Sequence, residues 1–212
     1  MDNFYNFATL LCPLQQKFVP KLTTLAHVST LAPVTHPVIS GQQLCDLVII
    51  ENSQLYNFYT SILYLLCPKY HTLYTFDQKT EFVEELVRYL IAQLDLNINI
   101  GKKIKQSNAH INAIIGDMKC KMYQSSSVVL YTSIILDLNI IVMTDTTRVE
   151  LYSGDDVYDN CKPTIILTRD HQNIYHPMMY QNTQLLTYFD HAIIPTLLDN
   201  KNKYVHINEI KN

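Results

Sequence analysis

Apolar positions along the chain fall into blocks with two different periods. Leu55, Phe58, Tyr59, Ile62, Leu63 and Leu66 recur at helical spacing, and Pro68 stops the run. Asn52 or Ser53 offers an N-cap for this helix. The segment has so few polar residues that it is expected to be central and buried. A second helix is predicted from Thr80. It turns Phe82, Val83, Leu86, Leu90, Ile91 and Leu94 to one side, with Glu81, Glu84, Glu85 and Arg88 mostly on the other. The acidic residues of its first turns suit the helix dipole. Ser107 can cap a third helix through Met118, and Ser125 to Ser127 a fourth through Leu136.

The period then changes. Leu47 to Ile50 is a short β-type run, and Asn139 to Thr144 reads as a buried strand. Arg148 to Tyr152 alternates like a half-exposed strand. Thr164 to Thr168 follows, with a short strand around Tyr175. A helix from Thr183 to Tyr188, a strand or helix from His191 to Leu198, and an edge strand at Tyr204 to Ile207 complete the reading. Helices first and strands afterwards predict an α+β fold, with N-terminal helices packed on a small, mostly antiparallel C-terminal sheet.

Residues 1–40 differ from the rest. Pro13, Pro20, Pro33 and Pro37 interrupt any long helix, and the residues between them are rich in Thr, Val and Leu. This stretch is read as an extended arm that docks on a surface, and residues 41–212 as one α+β domain.

Composition narrows the function. A net charge of −3 with scattered Lys and Arg gives no basic stripe for nucleic acid. Lys102, Lys103 and Lys105 form a small cluster that reads as a solvated turn. No apolar run reaches the roughly 18 residues that a membrane helix needs, and the first residues lack a secretory signal pattern. The five cysteines (Cys12, Cys45, Cys67, Cys120 and Cys161) show no CxxC pairing and are expected to be free thiols in a reducing compartment. His171, Cys161 and His176 fit no zinc spacing, so neither a metal nor a cofactor is expected. Only four glycines against abundant Asn, Ile and 15 Tyr suggest an AT-rich genome. The tyrosines suit a protein–protein interface, where aromatic rings give contact area at low entropic cost.

Two stretches carry candidate chemistry. The first is Glu51-Asn52-Ser53-Gln54-Leu55-Tyr56-Asn57-Phe58-Tyr59, at the start of the apolar helix. The second is Thr164 to Arg169 leading to Tyr175-His176-Pro177-Met178. Their order, an early helix start and a histidine near a late apolar strand, resembles the ovarian-tumour (OTU) type of papain-like cysteine protease. The likeness spans roughly residues 45–185 and runs by way of divergent versions in large DNA viruses of eukaryotes. In that family an Asp-Gly-Asn-Cys-Leu-Phe motif starts the central helix, where the dipole activates the thiol. Against it the cysteine position falls on Gln54. Against the viral Ser-Leu-Phe-Trp-Cys-Phe-Tyr pattern it falls on Asn57. In either alignment the nucleophile is absent, because a carboxamide forms no thioester. The family's catalytic histidine corresponds to His176, and the orienting position two residues later is Met178, so a tautomer-fixing partner is expected to be missing.

The resemblance therefore implies a pseudoenzyme with a degenerate site at Gln54, Asn57 and His176. It would be a viral structural, scaffolding or adaptor protein of the virion or host cytoplasm. Its partners would be viral structural proteins, including capsid components, or a ubiquitin-like protein, and self-assembly is left open. The competing expectation is an active cysteine protease or deubiquitinase using Cys45 and His176. Gln42 and Gln43 precede Cys45, as in papain-type sites where a glutamine amide helps hold an oxyanion. Cys45 precedes a strand, however, and so lacks the helix dipole that lowers a thiol pKa.

Overall fold

A computed structural model describes residues 47–49, 56–67, 70, 75–96, 108–122, 124–144, 148–155, 158–159, 162–180, 194 and 204–207. The fold is α+β. Among the described residues the order is β1 (Leu47–Ile49), α1 (Asn57–Leu66), α2 (Phe76–Leu96), α3 (Asn108–Lys119), α4 (Ser126–Leu136), β2 (Asn139–Thr144), β3 (Val149–Tyr152), β4 (Thr164–Arg169), β5 (Tyr175–Tyr180) and β6 (Tyr204–Ile207). The arm at 1–40, the proposed caps Asn52 and Ser53, the Lys102–Lys105 cluster and the helix expected at Thr183–Tyr188 lie outside the described residues. So does the 191–198 stretch, apart from Ile194, which is buried.

The helices rest on local chemistry. α1 starts at Asn57, later than the Asn52 or Ser53 caps would place it. Its N-cap is Tyr56, held left-handed at φ 56°, and the first helical bond runs from Thr60 N–H to the Tyr56 carbonyl at 2.9 Å. α2 begins four residues before Thr80. Thr75 Oγ1 accepts from Gln78 N–H, and Gln78 Oε1 accepts from Thr75 N–H, each at 3.2 Å, which is a reciprocal capping box. Of the expected apolar stripe of α2, Phe82, Val83, Leu86 and Leu90 are buried and Ile91 and Leu94 are partly buried; Val87, which was not expected, is buried as well. Across the helix contacts, Tyr131 OH donates to the Leu90 carbonyl at 2.8 Å, tying α4 to α2.

The six strands form one mixed sheet in the order β1-β5-β4-β2-β3-β6. β1 with β5, β2 with β3, and β4 with β5 are antiparallel, whereas β2 with β4 and β3 with β6 are parallel. Among the described residues three of the five pairings are thus antiparallel, and the parallel β2–β4 and β3–β6 pairs make the sheet mixed, which the expectation of a mostly antiparallel sheet did not include. After the β2–β3 hairpin the chain crosses the end of β2 and returns on its other edge. The crossing is pinned from β2: Asn139 N–H donates to the Pro163 carbonyl at 2.9 Å and its Nδ2 to the Asp159 carbonyl at 2.8 Å. Lys162 Nζ fastens the same segment, 2.8 Å from Asp137 and 2.6 Å from Asp155.

Register sorts the strand residues between two faces. Ile140, Val142, Tyr152, Ile165, Leu167 and Tyr175 join the core with the helices. Residues of the opposite parity, Ile141, Leu151, Ile166 and Met178, are also buried. A sheet covered on both faces needs continuous apolar runs, which is what Ile140-Ile141-Val142 and Ile165-Ile166-Leu167 supply. β3 is likewise buried at all four positions, not half-exposed as its alternation suggested. Its polar member, Glu150, is buried because two arginines and a tyrosine satisfy it, as described next.

Candidate functional site at the start of the buried helix

The N-terminal end of α1 is wedged between the α3–α4 loop and the first residue of β5. Tyr56 N–H donates to the Lys121 carbonyl, and Lys121 Nζ stands 5.4 Å from the centre of the Tyr56 ring. Burial raises the Tyr56 phenol pKa, and the nearby Lys121 charge partly opposes that shift. One turn on, Tyr59 OH donates to the Met118 carbonyl at 3.2 Å. A tyrosine in left-handed backbone is strained, so these contacts must hold it there.

Asn57 is fully buried, at 0 % exposure. Its Oδ1 accepts the backbone N–H of Tyr175 at 3.0 Å, and its Nδ2 donates to the Met122 carbonyl at 3.4 Å. Ser61, one turn later on the same helix face, has its Oγ 3.0 Å from the Tyr175 carbonyl and 2.7 Å from the Asn57 carbonyl. Both backbone groups of Tyr175 are thus met by side chains of α1. Among the described residues β1 pairs with Met178 to Tyr180, and at Tyr175 the edge of β5 turned away from β4 meets α1. Asn57 and Ser61 there satisfy buried backbone groups of the strand.

The Tyr175 side chain points into the helix layer. Its ring meets Phe58 edge-on, with centroids 5.2 Å apart and planes at 65°. Its hydroxyl is 3.4 Å from an Arg169 guanidinium nitrogen and 3.5 Å from the Gln124 carbonyl. Arg169 also donates to Glu150 Oε2 at 3.2 Å, and Arg148 Nε lies 3.3 Å from Glu150 Oε1. Tyr152 OH donates to the same Glu150 Oε2 at 2.7 Å and stands 3.1 Å from Ser126 Oγ. Burial drives the Tyr152 phenol well above its ordinary pKa, and the Glu150 carboxylate adds to the shift. The Tyr152 hydroxyl is thus a donor within a fixed network. Gln124 Oε1 and Ser125 Oγ, beside this network at the start of α4, are buried without a hydrogen-bond partner.

His176 is adjacent to Tyr175 in β5, so its side chain leaves the opposite face of the sheet. It is paired in register with Thr168, whereas Tyr175 is paired with Arg169. Its Nε2 lies 3.3 Å from Asp170 Oδ2, and its Nδ1 is buried without a partner. Asp170, not a residue after the histidine, therefore supplies the partner that Met178 could not. Its other oxygen accepts from Gln172 N–H at 2.8 Å and Ile174 N–H at 2.9 Å, closing the β4–β5 turn. Burial alone would raise the Asp170 pKa. The backbone N–H of Ile174, His176 and the N–H of Gln172 outweigh it and lower the pKa below the usual carboxylate value.

Of the sequence-derived site residues, Asn57 and His176 are thus brought to the same point of β5. Asn57 reaches the Tyr175 backbone rather than the imidazole. Gln54 and Cys45 lie outside the described residues. Leu47, two residues after Cys45, sits opposite Tyr180, four residues along β5 from His176, or roughly 13 Å at strand spacing. Glu150, Arg169, Tyr175 and Asp170 were not singled out by sequence reasoning. A glutamate inside an apolar strand and an arginine ending another were the signals that could have found the first two.

No group of three or more metal-ligating side chains occurs among the described residues, and none of their helices is long and apolar enough to cross a membrane. No protein-family model matches the chain, and no curated protein matches it.

Proposed function

We propose that the protein is a catalytically inert member of the OTU/papain-like scaffold class that works through protein–protein contacts. In this reading it is a structural, scaffolding or adaptor protein of a large eukaryotic DNA virus, in the virion or the host cytoplasm. Its partners are viral structural proteins or a ubiquitin-like protein. One observation carries the inert part of the reading. The first residue of the buried helix, where a protease of this class needs a thiolate, is an asparagine with both ends of its carboxamide engaged by backbone. Such an amide holds a helix to a strand, and with its nitrogen lone pair delocalised into the carbonyl it does not replace a thiolate as a nucleophile. The viral part draws on the sequence resemblance and the glycine-poor, Asn/Ile/Tyr-rich composition.

A second reading, a cysteine hydrolase acting through Cys45 and His176, is favoured by the imidazole itself. Asp170 holds Nε2 and leaves Nδ1 unpartnered, the arrangement expected of a base awaiting a proton. The two readings separate in one experiment. The reduced full-length chain is incubated with ubiquitin bearing a thiol-reactive C-terminal group and read by intact-mass spectrometry. No adduct is expected. An adduct lost in Cys45→Ala would overturn the inert reading and establish the second.

A further inference from the structure

We draw no further inference here: the strongest candidate, the buried polar cluster between the N-terminal ends of α1 and α4 where Gln124 Oε1 and Ser125 Oγ have no hydrogen-bond partner, belongs to the site already described, and nothing in the structure says what ligand would meet an unpaired acceptor there.

Discussion

Replacing Asn57 with alanine tests the claim that this side chain works as a structural bolt. The substitution strips the acceptor from the Tyr175 N–H, now 3.0 Å from Oδ1, and the donor from the Met122 carbonyl. Tyr175 is fully buried, so its amide has no water to turn to. An orphaned buried donor costs about 1–3 kcal/mol. Met122 is 53 % exposed, so water can reach that residue and its carbonyl adds little. Lost packing of the amide brings the expected total to roughly 2–3 kcal/mol. For a chain of this size each kcal/mol lowers the melting temperature by about 2–4 °C, so a fall of roughly 4–12 °C is expected. Urea unfolding followed by far-ultraviolet circular dichroism gives the free energy directly. Ser61→Ala supplies the control, because Ser61 grips the other backbone group of the same residue. Once Asn57 is gone, the helix–strand seam is already loosened and the serine has less left to hold. The double variant should then lose less than the sum of the singles, with a coupling above about 0.5 kcal/mol. A single variant within about 0.5 kcal/mol of the parent, or strictly additive losses, would refute the bolt. So would hydrolytic activity in Asn57→Cys, since the nearest strand histidine leaves the opposite face of the sheet.

Glu150→Ala leaves Arg169, with a side chain only 17 % exposed, facing no carboxylate, and a loss of about 3 kcal/mol or more is expected in chemical denaturation. Asp170 has a lowered folded pKa, so its contribution is present above the ordinary carboxylate pKa and fades as pH falls through the folded value. Asp170→Asn should therefore flatten the acid limb of stability against pH, and an unchanged limb would refute this. Thr75→Ala removes the capping box of α2 and should cost about 1 kcal/mol, read from the urea midpoint. Deleting residues 1–40 should leave a cooperatively unfolding domain that has lost its partner or its assembly; a truncated chain without secondary structure by circular dichroism would mean that the arm is core.

What the sequence made legible was the part governed by local rules. The extents of β2 and β6 and the end of α1 before Pro68 match the runs and the breaker read from the sequence. The start of α1 was not legible, because it is set by contacts far along the chain. Tyr56 adopts the left-handed cap where its N–H meets Lys121, and no local residue announces that. The start of α2 was legible and missed: Thr75-Phe76-Asp77-Gln78 spells a capping box, but Thr80 stands nearer the apolar stripe. The sheet order was not legible in kind. Nothing in Thr164 to Arg169 says whether it lies parallel or antiparallel to β2; the Asn139 and Lys162 anchors decide it.

The same distinction explains the site. That an asparagine, and not a cysteine, stands at position 57 is plain from the sequence. What the asparagine does instead could not be read, because its partner is a backbone amide 118 residues away. The face of β5 on which each side chain leaves is the remaining discriminator. A shift of one residue in the β4–β5 turn would exchange Tyr175 and His176, turning the imidazole toward Asn57 and the phenol outward. The turn is locked against that slip by Asp170, which binds the N–H groups of Gln172 and Ile174, and by Asn173 in left-handed backbone at φ 61°. The residue that orients His176 thus also keeps it away from the helix. The seating of Asn57 on the Tyr175 backbone and a histidine facing the other way both depend on one register.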